Sequence, residues 1–479
     1  MSLATLTLDA YQLTTLVAHA DEGRIDDQLA MAFFFRRLPP QRNYVLFCGL
    51  RSLLEHAAQM RLDGEELQAL LDDPLLGPAL RQRPLVMSKL QEVDGFVGEI
   101  DALPEGTPAF AGPALRSDGR PWHCGGAQVN IYTPLLQVRT DLLRAKLIET
   151  PWLGRINYMS MVASKAARIV AAAAGKPVLE FGARRTHPAA AIDGAYAAHL
   201  AGCTATSNVA AMRRYGIPIN GTMDHFYVQA AEQAGESPLL SERTAFAAFQ
   251  RAFPDNAFML VDTYDTEHGI RQAVAASHGK LSGVRLDSNV TPESVARARA
   301  LLDELGATQA LVLVSDGLDE HRVAQLAGAD GFGVGENITC SPDAATGIGA
   351  VAKLTVNGAG KPTMKIARGT GKATLPGRLQ VHRYGDHDLI ALEEELVPSG
   401  GRALLQPVWR GRAAVAELPS LSEARAWVQA ELARLPAAVR ALVPPAPGAP
   451  PPWPLVASDG LVATVERLIE DAAEEGEHP

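Results

Sequence analysis

The most regular hydrophobic pattern lies in the second half of the chain. Short apolar runs recur there near 177–181, 217–220, 257–261, 282–286, 310–314 and 331–334. Between them lie Ala-rich stretches with helical spacing, such as Thr291 to Leu305. Strand alternating with helix predicts a parallel sheet, and the number of units favours a β/α barrel over one dinucleotide-binding domain. From Leu142 to Ala173 the spacing is helical, with Pro151 marking a break. The first 140 or so residues mix a helical stretch, Leu53 to Met60, with the strand-like Tyr44-Val-Leu-Phe47, and a Gly- and Pro-rich region from Gly106 to Gly126 reads as turns leading into a strand or hairpin. After Pro376 the pattern turns to short strands, the charged Glu393-Glu394-Glu395, a helix from Ser422 to Leu435 and a Pro-rich stretch from Pro436 to Pro454. The expected division is an N-terminal α/β lobe at 1–140, a barrel at 141–376, and a segment at 377–479 that packs back on the first lobe.

Composition narrows the partners. With 479 residues, 47% of them hydrophobic, the chain can bury two or three packed units. A net charge of -10 argues against nucleic acid and anionic membrane, while permitting a local basic pocket for a phosphorylated metabolite. Cys48, Cys124, Cys203 and Cys340 show no paired spacing, which fits a reduced, cytoplasmic protein. The N-terminal segment has no basic stretch followed by a long apolar one, and the apolar run after Val170 is bracketed by Arg168 and Lys176, too short to cross a bilayer.

The strand ends carry the candidate chemistry. Asp262, Asp265, Asp287 and Asp316 each follow an apolar run, so a barrel brings them to one rim. Carboxylates beside a phosphorylated ligand repel it unless Mg²⁺ or a sugar hydroxyl stands between; helix caps and turns are the competing roles for each. Arg285 alternates with Asp287 and so points to the same side, where a guanidinium can clamp pyrophosphate; an internal Arg–Asp pair is the alternative. Asp262 and Asp265 read as partners in the metal or ribose network. Gly317, Gly333 and Gly335, the last followed by Glu336-Asn337, can expose backbone N–H groups to phosphate or simply make tight turns. His225, after Gly221-Thr-Met-Asp, can accept a phosphoryl group or donate a proton. His187 and His199 have settings that suit structural hydrogen bonds. Phe181 and Tyr11 can flank a planar ring, with Arg184 near enough to Phe181 to meet a carboxylate on it. Lys353, Lys365 and Lys372 can line the phosphate end, against a default of surface placement.

Taken together, Asp9-Ala-Tyr11-Gln-Leu-Thr, Phe34-Phe-Arg36-Arg37, Ser164-Lys-Ala-Ala-Arg168, Phe181-Gly-Ala-Arg184-Arg185, Asp262-Thr-Tyr-Asp265-Thr, Arg285-Leu-Asp287-Ser, Ser341-Pro-Asp343 and Gly371-Lys372-Ala-Thr-Leu-Pro376-Gly377 resemble the nicotinate phosphoribosyltransferase family over nearly the whole chain. The resemblance implies an irregular type II phosphoribosyltransferase barrel with an α/β lobe built from N- and C-terminal parts. It implies transfer of phosphoribosyl from 5-phosphoribosyl 1-diphosphate to nicotinate, giving nicotinate mononucleotide and diphosphate in NAD biosynthesis. ATP hydrolysis would be coupled through a phosphohistidine matching His225. It assigns Phe181 and Tyr11 to the pyridine ring, the tyrosine coming from a neighbouring subunit of at least a homodimer, and Arg184 to the carboxylate. Ser207 stands where the related nicotinamide-using enzyme carries an aspartate, which favours the acid over the amide. Mg²⁺, with Asp287 and Asp316 around it, Arg285 and backbone N–H groups would stabilise the departing diphosphate.

Three sites depart from the family pattern, and at the first of them the acidic residue that usually follows is also missing, Val290 standing there. Asn289 replaces a glycine, Phe226 replaces a small hydroxyl residue after the histidine, and Glu336-Asn337 replaces Thr-Arg. These leave two alternatives in view: a phosphoribosyltransferase for nicotinamide or another aromatic acid, and a non-catalytic protein that binds phosphoribosyl diphosphate.

Overall fold

Six short strands carry the mid-chain repeat: β1 (Val178–Glu180), β2 (Ala205–Thr206), β3 (Phe258–Leu260), β4 (Gly283–Leu286), β5 (Leu311–Val314) and β6 (Gly331–Val334). They form one parallel sheet in the order β2-β1-β6-β5-β4-β3, curled into a half-barrel. Burial on both faces explains why the runs are continuously apolar instead of alternating: Val312, Leu313 and Val314 are all buried, as are Val178 and Leu179. The structure is a computed structural model that describes residues 5–124, 126–232, 237–344, 346–367, 372–446 and 449–474. The run near 217–220 makes only a single bridge, Ile219 to Thr206, whereas β2, two residues long, lies in a segment that shows no strand pattern.

Each strand end runs toward a helix whose start is set by local chemistry. Asn208, Asp224, Asp265, Thr291 and Asp319 accept hydrogen bonds from first-turn N–H groups, and the helices Pro188–Leu200, Pro238–Ala252 and Pro292–Glu304 begin on proline. These caps hold the strand-end loops at fixed geometry. The rim residues are therefore positioned by backbone that is itself anchored.

The helix Leu142–Ala172 continues through Pro151, where the sequence suggests a break. A proline removes one N–H, and the loss is small beside the burial of Trp152, Ile156 and Met159 in the next two turns. The chain divides within this helix. Val162–Ala345 forms one compact unit, and Met1–Met161 with Thr346–Pro479 forms the other. The mid-chain unit is thus shorter at both ends than the 141–376 division. The reason at the second boundary is strand pairing: Ala350–Val356 lies antiparallel to Gln28–Phe35, with Phe33 opposite Ala352.

The composite unit contains two six-stranded sheets in which N- and C-terminal strands mix. Gly98–Ala102 pairs with Gln406–Gly411, and Ala111–Arg116 with Leu455–Ala457. Its aromatic core stacks Phe34 on Tyr132 at 3.6 Å between ring centroids and sets Phe33 and Phe96 against Trp152. Among the described residues, no helix is long and apolar enough to cross a membrane.

Candidate active site

The half-barrel gathers His225, Arg285, Asp287 and Asp262 at the ends of β3 and β4. The Asp287 carboxylate accepts from Ser315 Oγ at 2.8 Å through one oxygen, and its other oxygen lies 3.7 Å from His225 Nε2. On the far side of the imidazole, Nδ1 shares a hydrogen bond with Thr263 Oγ1 at 3.1 Å. The ring is thus fixed between a hydroxyl and a carboxylate while its side chain stays 38% exposed. Asp262 Oδ2 accepts the Asp287 N–H at 2.6 Å, leaving Asp262 Oδ1 buried without a partner. Arg285 donates from Nη1 to Thr222 Oγ1 at 2.6 Å, and its Nε is buried and unpaired. Burial lowers the guanidinium's pKa; Asp287 and Asp262 oppose that shift, and the nearby Arg184 adds to it. A second arginine near enough to act on Arg285, together with the unpartnered Arg285 Nε, suits a polyanion.

Other rim residues have more committed roles. Asp265 caps the helix Thr266–Ser277, its Oδ1 accepting from His268 N–H at 2.8 Å, so the cap role foreseen for a strand-end aspartate is the one it fills. Asp316 Oδ2 accepts from Val290 N–H at 2.9 Å and from Arg322 Nη2 at 3.2 Å. Gly317 has φ +51° and gives its carbonyl to Asn337. Asp224 caps the short helix that begins at His225.

Phe181 follows β1, its N–H bonded to Val334 O at 2.9 Å. Its ring lies over Gly333, where a Cβ would fall 2.4 Å from the ring carbon Cε2. Gly333 sits inside β6, so its missing side chain serves the aromatic ring; the strand-to-helix turn proper begins at Gly335, ahead of the helix Glu336–Thr339. Arg184 and Ser207 are exposed at the ends of β1 and β2.

The three departures from the family pattern have structural partners or conformations of their own. Asn289 adopts φ +52°, the left-handed region that asparagine tolerates better than other residues with a Cβ. Glu336 lies 3.4 Å from Arg185, which offsets its charge, and Asn337 donates to the carbonyls of Gly317 and Leu318. Phe226 is 75% exposed, and nothing in the structure explains the large side chain there.

Tyr11 and Lys365 belong to the composite unit. Tyr11 is half exposed and donates to Glu149 Oε1 at 3.4 Å. Burial foremost, then Glu149 and Asp9, raises its phenol pKa. A cavity of about 250 Å³ is lined by Glu149, Lys146 and Lys353, and burial lowers the pKa of both lysines. Lys365 is exposed, and its N–H donates to Thr374 Oγ1 at 2.7 Å. The Lys372 side chain lies outside the described residues. A larger cavity, about 640 Å³ and lined mainly by apolar groups such as Leu50, Val408 and Trp427, contains none of the strand-end residues.

Two buried carboxyl groups in the mid-chain unit carry no mark in the sequence. Glu180 ends β1 and is fully hydrogen-bonded, whereas Glu242 on Pro238–Ala252 is buried with neither oxygen partnered. Glu180 sits in an apolar run and Glu242 between Ser241 and Arg243 near a helix start, and no local signal marks either. Among the described residues, no group of three or more His, Cys, Asp and Glu is arranged to hold a metal by itself. Mg²⁺ commonly takes one or two protein carboxylates and completes its shell with water and substrate phosphate, a demand that a rim aspartate such as Asp287 can meet.

Comparison with known proteins agrees with this architecture. The profile of the nicotinate phosphoribosyltransferase (NAPRTase) family matches residues 177–386, which include all six strands of the half-barrel. A nicotinate phosphoribosyltransferase of Mycobacterium tuberculosis is 34% identical over 482 residues, covering 97% of this chain and 94% of its own. The crystal structure of human nicotinic acid phosphoribosyltransferase superposes with a TM-score of 0.79 at 28% identity, covering 97% of this chain and 100% of that one. The nicotinate-nucleotide pyrophosphorylase structure from Pyrococcus furiosus shares the fold, with a TM-score of 0.66 at 24% identity over 90% of this chain and 95% of that one. Near-complete coverage at this identity, on the same half-barrel and composite unit, places the chain in the nicotinate phosphoribosyltransferase family.

Proposed function

We propose that this protein transfers the phosphoribosyl group of 5-phosphoribosyl 1-diphosphate to nicotinate, with ATP hydrolysis coupled through His225. The observation that carries the reading is the convergence of Arg285, Asp287 and His225, with Arg184 close enough to act on Arg285 electrostatically. Family membership supplies the substrate class, and this cluster offers cations for its phosphates.

In the transfer, the C1–O bond to diphosphate breaks and the electron pair leaves with diphosphate. The pyridine nitrogen brings its own lone pair to form the C1–N bond, so no strong base is required. The protein's work is alignment and charge stabilisation. Phe181 stacks on the acceptor ring, Arg184 pairs with its carboxylate, and Ser207 leaves room for that negative charge. Arg285 meets the diphosphate, while Asp262 holds the Asp287 N–H and so fixes the carboxylate that faces the ribose. The backbone at Gly317 and Gly335 is assigned to the phosphate end. Mg²⁺ bound with the diphosphate would be held by Asp287, with Asp316 the second carboxylate, and would neutralise charge on the leaving group. In the coupled reaction the γ-phosphoryl of ATP passes to the imidazole and then to water. Thr263 holds Nδ1, which leaves Nε2 as the nucleophile. A tyrosine at the position of Tyr11 from a neighbouring subunit completes the acceptor site, making the working form at least a homodimer in the cytoplasm.

The test is nicotinate mononucleotide formation by purified protein with Mg²⁺, with and without ATP, against nicotinamide as competing acceptor. ATP-stimulated product from nicotinate is expected, and a preference for nicotinamide would overturn the acceptor assignment. His225→Ala should abolish stimulation by ATP while leaving slow uncoupled transfer. Arg184→Ala should raise the KM for nicotinate by roughly tenfold or more.

A further inference from the structure

Glu180 ends β1 with its side chain only 2% exposed. One carboxylate oxygen accepts from Thr206 Oγ1 at 2.6 Å. The other accepts the Gly182 N–H and lies 3.4 Å from Thr339 Oγ1. One carboxylate therefore joins three segments: the loop carrying Phe181 and Arg184, the end of β2, and the helix after Gly335. Gly182 has no alternative there, because a Cβ on it would fall 1.6 Å from Thr339 Oγ1 and 2.8 Å from Glu180 Oε1. Burial raises the pKa of Glu180, and its three donors act in the opposite direction.

The consequence falls on Ser207, whose side chain is exposed and whose neighbours are all fixed. Its own N–H donates to Glu180 O at 2.9 Å. Before it, Thr206 donates its hydroxyl to Glu180; after it, Asn208 N–H donates to Thr206 Oγ1 at 3.0 Å. The Thr206 N–H and C=O are also engaged, with Pro218 O and Asn220 N–H, each at 3.0 Å. The Glu180–Thr206 bond thus determines where the Ser207 hydroxyl stands relative to Phe181 and Arg184. It touches no acceptor atom in doing so.

We propose that Glu180 is a positioning residue for acceptor choice, holding Ser207 and the Phe181–Arg184 loop in the register that admits a pyridine carboxylate over its amide. The inference rests on the acceptor reading above. It adds that discrimination depends on a buried carboxylate beneath the site as well as on residues at its surface. Glutamine at 180 would set an NH₂ donor against one of three donors, and valine at 206 would remove the hydroxyl while keeping the shape.

The experiment compares wild type with Glu180→Gln, Thr206→Val and Thr206→Ser. It measures kcat/KM for nicotinate and for nicotinamide, KM for phosphoribosyl diphosphate, thermal midpoint, and the equilibrium affinity for each acceptor by calorimetry. Glu180→Gln and Thr206→Val should lower the nicotinate-to-nicotinamide ratio by about tenfold, with the phosphoribosyl diphosphate KM within about twofold of wild type. Thr206→Ser should restore the ratio. A lowered midpoint with an unchanged ratio would overturn the proposal, leaving Glu180 a purely structural group. If wild type shows no turnover, the acceptor affinities still decide: a ratio that shifts in the variants supports the positioning role while the transfer reading fails, and no acceptor binding by wild type overturns both.

Discussion

The mid-chain unit contains two clusters of cations and carboxylates that differ in one respect. In the first, Lys165 Nζ lies 2.6 Å from Glu320 Oε2 and 3.2 Å from Asp343 Oδ1, and Arg168 Nε lies 2.8 Å from Glu320 Oε1. All four side chains are largely buried. Burial pushes Glu320 up, but Lys165 and Arg168 outweigh it and hold the carboxyl below its usual range. In the second, Arg285 Nε and Asp262 Oδ1 are buried and unpartnered, while His225 and Asp287 remain 38% and 28% exposed. The same residue types thus make a closed cluster, in which even Glu320 Oε2, lacking a hydrogen bond of good geometry, has the Lys165 ammonium 2.6 Å away, and an open one with capacity left for a ligand. An arginine near an aspartate says little about function until its unspent donors are counted.

The largest expected effects break the two clusters in opposite ways. Glu320→Ala removes the carboxylate that Lys165 and Arg168 share, leaving Asp343 alone opposite Lys165, and should cost about 3–5 kcal/mol of stability. Arg285→Ala removes one guanidinium from the open cluster and should lower kcat/KM by about 10²–10³-fold, while the thermal midpoint moves by no more than about 2 °C. Thermal unfolding and steady-state kinetics on both variants decide the matter. If Glu320→Ala kept its midpoint and lost activity, the closed cluster would belong to the site and the distinction would fail.

Much of this contrast was legible before the fold was known, but unevenly. Apolar runs such as Leu311-Val-Leu-Val314 announce buried parallel strands, and the charged residues directly after them mark the rim. Two residues of β2 are too few to carry a pattern, and the run at 217–220 forms one bridge because only Ile219 reaches Thr206. Gly333 reads in sequence as part of a phosphate-binding turn, because a sequence does not reveal that an aromatic ring on the adjacent strand needs its space; Phe181, two residues past Leu179 opposite Gly333, lies against it. Asn289 looked anomalous until its φ was known. Glu180 and Glu242 carry no local signal, since a single carboxyl, in an apolar run at 180 and between Ser241 and Arg243 at 242, takes its meaning from tertiary neighbours. Lys165 and Arg168 stood out only through the resemblance, and their closed network gives them a structural reason.

Glu242 sharpens the comparison at intermediate size, being a buried carboxyl with no cation to close it. Burial foremost, then Asp265 and Asp262, raises its pKa from 4.5 to about 7. The titratable and charged groups on the two helices packed against its own are His225, Tyr227, Glu267, His268 and Arg271, and the hydroxyl of Tyr264, in the loop before the second helix, is buried and unpartnered. The native state therefore holds a proton that the unfolded chain releases above its ordinary carboxyl range. Stability should fall as pH rises from about 4.5 through 7, and the full penalty, on the order of 3 kcal/mol, is present above that. Glu242→Gln should flatten this part of the profile and raise the midpoint at pH 8. Parallel profiles for the two proteins would mean that the carboxyl is solvated or paired in solution.

The smallest expected effect lies in the turn that supports the open cluster. Asn289 follows Asp287 by two residues at φ +52°, and the next residue, Val290, donates its N–H to Asp316 and receives Arg322 at its carbonyl. Alanine at 289 meets the left-handed conformation without asparagine's local hydrogen-bonding capacity, so Asn289→Ala should lose about 1 kcal/mol. Asn289→Gly relieves the strain but frees the unfolded chain, and the two terms should nearly cancel, leaving a change of about 0.5 kcal/mol or less. If the residue acts only through backbone conformation, the KM for phosphoribosyl diphosphate should rise a few-fold in the alanine variant and stay near wild type in the glycine variant. Should the glycine variant be the more impaired, the Asn289 side chain itself would meet the substrate, and the open cluster would extend to the third residue beyond the strand end.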